Sequence, residues 1–245
     1  MLKFGLVGKT LKHSFSKSFF ESLFESEKID ASYENFELEE ITAIESVFQN
    51  KNLKGLNVTI PYKQEIIPFL DEVSEEVKQI GAVNVVQFHS GKRIGHNTDA
   101  FGFHQMIKPF LTNKHERALV IGTGGASKAV SHVFKSLGVD VIYISRNPKG
   151  EKQFSYEEMN QYMLNACKVI VNATPVGTFP NVEDEIEFPY EHLTEDHLVI
   201  DLIYNPSETV FLRKSKMEGA TILNGESMLK HQALKAWEIW NKPSN

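Results

Sequence analysis

The chain has 245 residues, 41% hydrophobic and 24% charged, a globular composition with length enough for one large domain or two smaller ones. A net charge of −6 argues against a general nucleic-acid or anionic-membrane surface, and no apolar stretch reaches membrane-spanning length. The single cysteine, Cys167, excludes an internal disulfide and a cysteine-rich zinc site; the nine histidines lack metal-binding spacing, and the N-terminus lacks the apolar run and cleavage region of a signal peptide, so a metal-free, soluble cytoplasmic protein is expected.

Strand and helix patterns alternate over the first hundred residues. KFGLVG (3–8) reads as a strand, and SKSFFESLFESEKI (16–29) as an amphipathic helix with Phe19, Phe20, Leu23 and Phe24 on one face. SYENFEL (32–38) is a strand, EEITAIESVFQN (39–50) a helix and LKGLNVT (53–59) a strand. Pro61 ends that strand, and PYKQEIIPFLD reads as a short helix with Pro61 in its first turn. This puts Lys63 at the helix end that the macrodipole makes unfavourable for a cation. SEEVKQIGA (74–82) is helical, AVNVVQFHSGKRIGHNT (82–98) is a hairpin turning at Ser90-Gly91, and DAFGFHQMIKPFL (99–111) is a helix. The polar break TNKHE (112–116) marks the expected domain boundary.

Beyond it the strands become continuous apolar runs. RALVIG (117–122), VDVIYIS (139–145), KVIVNAT (168–174), HLVIDLI (197–203) and ATILN (220–224) are interleaved with helices such as ASKAVSHVFKSLG (126–138). This pattern predicts a parallel sheet covered on both faces. Cys167 opens one of the apolar runs and is expected in a buried strand. The long, proline-punctuated segment 176–193 is either a mobile lid or a solvated connection.

VIGTGGASKA (120–129) joins a buried strand to a helix within a βαβ unit. Gly122 permits the tight turn, Gly124 and Gly125 let backbone amides approach a pyrophosphate, and the helix N-terminus supplies positive charge. Ser127 stands where the third glycine of a dinucleotide fingerprint is usual, so the motif rests on its context. The next strand ends in Ser145, Arg146, Asn147 and Lys149. An NAD site would place a carboxylate there, whereas two cations suit a 2′-phosphate, so the cofactor is read as NADP. In GHNTDAFG (95–102), Asp99 is open to two readings. It could cap the helix that follows, as could Asn97 or Thr98. It could instead pair with Lys63 at the edge of a strand, giving a lysine that handles a proton while hydride moves.

At this point the chain resembles the shikimate dehydrogenase family, over nearly its whole length. HSFSKS (13–18) is similar to the family's Ser-x-Ser substrate loop, NVTIPYK to Asn-Val-Thr-x-Pro-x-Lys, and GHNTD to Gly-x-Asn-Thr-Asp. GAVN (81–84) matches the start of Gly-Ala-Val-Asn-Thr, with Val85 in place of threonine. GTGGAS, DLIYNPSET (201–209) and NGESMLKHQA (224–233) resemble the cofactor loop, Asp-x-x-Tyr-Asn-Pro and the closing Gly-x-x-Met-Leu-x-x-Gln segment. SRN departs from Asn-Arg-Thr, and Pro175 and Thr178 stand where serine and methionine are usual.

The resemblance implies a two-domain α/β enzyme with an N-terminal substrate domain, 1–111, and a Rossmann-type NADP domain, 112–224, with a cleft between them. The last helix, 225–245, would pack back on the first domain, with Trp237 and Trp240 as core anchors. Lys63 and Asp99 are implied as the catalytic pair. Ser14, Ser16, Thr59, Lys63, Asn84, Asp99 and Gln232 are implied to hold shikimate, with Tyr204 between substrate and cofactor. Neutral donors such as Ser14 and Ser16 can hold a carboxylate in a dry pocket; both also precede an apolar helix that they could cap. The cofactor would be lined by Gly122, Gly124, Gly125, Ala126, Ser145, Arg146, Asn147, Lys149, Thr174, Ile203, Gly225 and Met228. The implied reaction is reversible reduction of 3-dehydroshikimate by NADPH, in a monomer or homodimer whose partners are small molecules, neither nucleic acid nor membrane. The rival readings are a quinate/shikimate dehydrogenase using NAD and a non-catalytic NADP- or shikimate-binding regulator.

Overall fold

The computed structural model describes residues 1–12 and 14–241. His13 of the serine loop and the last four residues of the expected C-terminal span lie outside them. The chain divides into two compact units, one formed by Met1–Phe101 with the chain from His231 onward, the other by Gly102–Lys230.

The first unit is built on a six-stranded mixed sheet. Its strands are β1 (Leu2–Gly8), β2 (Ala31–Glu37), β3 (Leu53–Val58), β4 (Glu72–Val73), β5 (Val85–His89) and β6 (Lys92–His96), in the spatial order β2-β1-β3-β5-β6-β4. β1 is parallel to β2 and β3, while β5 runs antiparallel to β3 and β6. The hairpin turns at Ser90-Gly91, both at positive φ, the geometry of a primed two-residue turn. α1 (Phe15–Ser26) buries Phe20 and Phe24, one turn apart, against the sheet. α2 (Ile44–Phe48) is a short helix behind a single 3-10 turn, and α3 (Glu75–Ile80) runs from a Ser74 cap to Gly81 at φ +72°.

The helix expected at 61–71 does not form. Residues 61–66 are successive turns, followed by one 3-10 turn at Ile67–Phe69. The Lys63 carbonyl, which a helix would offer to Ile67, accepts instead from the Val83 N–H at 2.7 Å. The Ile67 N–H goes to Gln64. Lys63 therefore faces no macrodipole.

The second unit carries β7 (Arg117–Ile121), β8 (Asp140–Ile144), β9 (Gln153–Phe154), β10 (Val169–Asn172), β11 (Leu198–Asp201) and β12 (Thr221–Leu223) in the order β12-β11-β10-β7-β8-β9, all parallel. This is the doubly wound arrangement, its order reversing between β7 and β10. α5 (Gly125–Ser136) crosses from β7 to β8. α6 (Gln161–Ala166) precedes β10 and α7 (Val210–Met217) joins β11 to β12, helices the pattern expected between these strands without placing them, while β10 and β11 are joined through a single 3-10 turn; the two-residue strands β4 and β9 were not foreseen.

Two helices run through the division between the units. α4 (Asp99–Ile107) is counted with the second unit from Gly102, ahead of the polar break at 112–116. The reason is packing, since Phe103 is fully buried and meets Phe134 of α5 edge-on at 5.3 Å. α8 (Glu226–Trp240) is counted with the first unit from His231. Ala233, Ala236, Ile239 and Trp240 join the core of Phe4, Phe20 and Phe24, and Trp237 packs against it. The Trp240 indole donates to the Val86 carbonyl at 3.1 Å, and Gln87 Nε2 to that of Ile239 at 2.7 Å. A Cβ at Gly55 would lie 2.2 Å from Trp240 Nε1, so a glycine is needed beneath this ring.

Segment 176–193 is exposed over most of 179–185, as a solvated connection would be, but its later part is anchored. Ile186, Phe188 and Leu193 are buried in the core of the second unit, and Phe188 meets Phe211 edge-on. Cys167 is fully buried at the end of α6, just before its strand, and burial pushes its thiol up to about 12.

Two buried histidines staple the loops ahead of β7 and β11. His115 Nδ1 accepts from the Thr112 N–H at 3.0 Å. His197 Nδ1 accepts from the Thr194 N–H at 2.9 Å, which leaves Nε2–H to donate to the Leu164 carbonyl at 3.0 Å. Burial lowers both pKa values from the ordinary histidine range. The folded state thus binds fewer protons than the unfolded one below about pH 6.5, and this share of the stability is lost as pH falls. His197→Gln should lower the melting temperature at pH 7.5, and the gap to the parent should narrow by pH 5.5; a gap independent of pH would contradict this assignment.

Candidate active site

The centre of the first unit's site is Asn84, just ahead of β5. Its backbone is held from both sides, the carbonyl accepting from Val58 N–H at 2.9 Å and the N–H donating to the His96 carbonyl at 3.1 Å. Its side-chain nitrogen reaches Asp99 Oδ1 at 2.9 Å, Thr98 Oγ1 at 3.0 Å and Gln232 Oε1 at 3.2 Å, while its oxygen accepts from Thr98 N–H at 2.7 Å. Lys63 Nζ donates to the other oxygen of Asp99 at 2.6 Å. The two side chains are only 15% and 7% exposed. Lysine, carboxylate, amide and Gln232 from α8 thus converge on one buried cluster.

Local structure explains why Lys63 and Asp99 point there. Tyr62 and Ile66 are buried on either side of Lys63, and the Tyr62 hydroxyl donates to the Leu38 carbonyl at 2.6 Å. These anchors fix the turns that carry the lysine. At the start of α4 the capping work falls to Asn97, whose Oδ1 accepts from the Ala100 N–H at 3.1 Å. Asp99 is free to pair with Lys63, and its charge still suits the first turn of the helix. Among the described residues, one of the ammonium's three hydrogens is engaged, by Asp99.

Ser14 does cap α1, accepting from the Lys17 N–H at 3.3 Å. Ser16 is buried in the first turn of α1, where its hydroxyl tempers the burial-raised pKa of Tyr33. The Tyr33 hydroxyl donates to Asn57 Oδ1 at 2.7 Å, and Asn57 Nδ2 donates to the Asn84 carbonyl at 3.4 Å. A buried polar chain therefore runs from Ser16 through Tyr33 and Asn57 to Asn84. The segment leading to Ser14 is clamped at Leu11, whose N–H donates to Glu37 and whose carbonyl accepts from Asn35. Thr59 lies just past the end of β3, half-buried.

In the second unit the glycine loop follows β7. Gly122 has φ +104°, and a Cβ there would lie 3.0 Å from Thr174, so the turn requires glycine. Gly124 caps α5 and offers no side chain to the first-turn amides, none of which has a side-chain partner among the described residues, and a Cβ at Gly124 would meet nothing within 4 Å. Those amides, with Gly125 and Ala126 in the first turn, are an open cradle for an anion. Beyond β8, Ser145 is tied to Phe154 of β9, and its Oγ accepts from the Asn147 N–H at 3.2 Å. Arg146, Asn147 and Lys149 are exposed, and among the described residues no carboxylate pairs with either cation. Burial raises the pKa of the Tyr156 phenol, and the Arg146 charge offsets part of that rise. Across the reversal of strand order, Thr174 N–H and Oγ1 both donate to Asn172 Oδ1, at 2.9 and 2.7 Å. The Ile203 carbonyl accepts from Gly225 N–H at 3.0 Å, and a Cβ on Gly225 would lie 2.1 Å from the Leu202 carbonyl oxygen. Met228 is buried in α8, and Tyr204 is half-buried in the turn after β11. Open amides, cations without carboxylate partners and a glycine-only turn fit a phosphorylated dinucleotide.

Sequence reasoning gave no site role to Tyr33, Asn57, Asn172, Asp201 and Thr209 and named Thr98 only as a possible helix cap; all six are buried and hydrogen-bonded. The available signal was a polar residue closing an otherwise apolar strand, as at Asn172 and Asp201, or standing next to its end, as at Asn57. Asp201 accepts from Asn172, Ile203 and Thr209, and burial lifts its carboxyl to about 6.

Residues 6–86 match the family model described as the shikimate dehydrogenase substrate binding domain. The chain is 38% identical to the shikimate dehydrogenase (NADP(+)) of Aquifex aeolicus, over 97% of this chain and 90% of that one. It superposes on the crystal structure of shikimate dehydrogenase from Aquifex aeolicus with a TM-score of 0.86 at 37% identity, covering 98% of this chain and 92% of that one. The shikimate 5-dehydrogenase of Thermus thermophilus, solved in complex with NADP(H) and shikimate, superposes with a TM-score of 0.86 at 31% identity, covering 98% and 94%. Relatedness of this degree over nearly the full length of both chains places the protein in the shikimate dehydrogenase family.

Proposed function

We propose that this chain is the NADP-dependent oxidoreductase that interconverts 3-dehydroshikimate and shikimate on the route to chorismate and the aromatic amino acids, working in the cytoplasm as a monomer or homodimer. The observation that carries this reading is the buried Lys63–Asp99 pair braced by Asn84, in a chain so closely related to shikimate dehydrogenases. The amides at the start of α5 would hold the pyrophosphate, and Arg146 and Lys149 the 2′-phosphate. When bound, NADPH supplies the hydride that reduces the ring ketone.

The protein's own residues manage the oxygen and the proton. Lys63 keeps two hydrogens for the ring oxygen while the third stays on Asp99. It polarises the carbonyl and delivers the proton that balances the hydride, so ketone becomes alcohol with no net charge left on oxygen. Asp99 holds the ammonium in place and, through Asn84, is itself fixed to β5. Gln232 uses its oxygen on Asn84 and Thr98, which leaves its amide N–H groups to a substrate hydroxyl. Ser14 and Ser16 would hold the carboxylate by neutral hydrogen bonds, with Thr59 beside them.

The test is the reduced-nicotinamide absorbance band after shikimate and NADP⁺ are mixed with the protein, with quinate and NAD⁺ run in parallel. Growth with shikimate and NADP⁺ is expected. Comparable growth with quinate or NAD⁺ would favour the broader quinate/shikimate enzyme, and no growth from folded protein would favour a binding regulator. Arg146→Ala should erode the preference for NADP⁺ over NAD⁺ by about 10-fold or more, the loss expected of a charged phosphate contact. An unchanged ratio of kcat/KM for the two cofactors would contradict the role given to Arg146.

A further inference from the structure

The carboxylate of Asp201 takes no part in the chemistry above, yet it is fully buried at the end of β11. Its Oδ1 accepts from Ile203 N–H and from Asn172 Nδ2, both at 3.0 Å, and its Oδ2 from the Thr209 hydroxyl at 2.7 Å. Among the described residues no lysine, arginine or histidine pairs with it, its partners being Thr209, Ile203 and Asn172. A buried carboxylate without a cation is costly, and an apolar side chain would fill the space at lower cost.

Each of the three donors leads to a segment of the cofactor face. Asn172 closes β10, and its own oxygen holds both the N–H and the hydroxyl of Thr174. Ile203 precedes Tyr204, and its carbonyl accepts from Gly225 just beyond β12. Thr209 caps α7, its Oγ accepting from the Leu212 N–H at 3.3 Å, and so closes the turn containing Tyr204. One side chain thus ties together the carboxyl ends of β10, β11 and β12. The glycine loop and Arg146 follow β7 and β8, on the other side of the strand-order reversal. A dinucleotide laid across such a reversal places its second nucleoside over the ends of β10 to β12.

We propose that Asp201 is a positioning residue for NADP, fixing the Thr174 and Ile203–Tyr204 segments where the nicotinamide half of the cofactor lies. The proposal rests on the NADP reading of this unit. It acts through Asn172 and the backbone of Ile203, without contact to the reacting atoms.

Calorimetric titration of the full chain with NADP⁺, with no turnover required, tests it. Melting temperature checks folding, and shikimate affinity is measured on the same samples. Asp201→Ala strands three buried donors and should weaken NADP⁺ binding by at least about fivefold, with shikimate affinity held within about twofold. Asp201→Asn keeps the oxygen that serves Ile203 and Asn172 and should restore NADP⁺ affinity to within about threefold of the parent. Should Asp201→Ala fail to fold, Asn172→Ala, which removes the arm to Thr174, is read by the same thresholds. A folded variant whose NADP⁺ affinity falls less than this, or falls in step with shikimate affinity, overturns the proposal, as does an Asn variant no better than Ala. Failure of the parent to oxidise shikimate would count against the proposed function and leave the NADP⁺ titration readable.

Discussion

The first unit is organised around two opposite charges held out of water. Lys63 and Asp99 are both largely buried, and neither would be tolerated alone. Withdrawing one member of a buried pair typically costs about 3–5 kcal/mol, so the fold has to deliver both to the same point. It does so with backbone. The Lys63 carbonyl is bonded to Val83, Asn84 is bonded to Val58 and His96, and Asn84 then carries Asp99, Thr98 and Gln232 on its side chain. The sheet order β3-β5-β6 brings these segments together, and Gln232 from the middle of α8 completes the cluster.

The second unit meets a different demand with the same means. A dinucleotide needs open amides and close backbone approach more than it needs side chains. Gly122 and Gly225 stand where a Cβ would collide, and the start of α5 is left without a side-chain cap. The polar residues that close β10 and β11, Asn172 and Asp201, bond to one another and to the loops beyond. In the second unit the apolar strands provide rigidity, and the polar residue at the end of β10 and of β11 ties down the loop that follows.

Much of this was legible in the sequence because it depends on local pattern. Continuous apolar runs gave the parallel sheet, Ser90-Gly91 gave the hairpin, and the spacing of Phe20 and Phe24 gave the buried face of α1. The helix placed at 61–71 failed at Lys63, whose carbonyl was claimed from a distance by Val83, which no local rule anticipates. Two-residue strands such as β4 and β9 carry too little pattern to register. At the site, Lys63, Asp99, Asn84 and Gln232 stood in quotable motifs, and the structure brings them into one cluster. Tyr33 stood in no motif, and Asn57 and Asp201 stood in quoted motifs without a role, because their importance lies in partners distant in sequence or in complete burial. Asp99 shows the limit most clearly, since its capping and pairing readings separate only once Asn97 is seen to hold the Ala100 amide.

The most direct test of the account is a double-mutant cycle on kcat with Lys63→Ala, Asp99→Asn and the two combined, each checked for folding by its melting temperature. If Lys63 and Asp99 act as one device on the ring oxygen, each single variant should be slowed by about 10²-fold or more, and the double variant should be little slower than the worse single. Near-normal turnover in Lys63→Ala, or losses that multiply in the double variant, would contradict the claim that the buried pair is the catalytic unit.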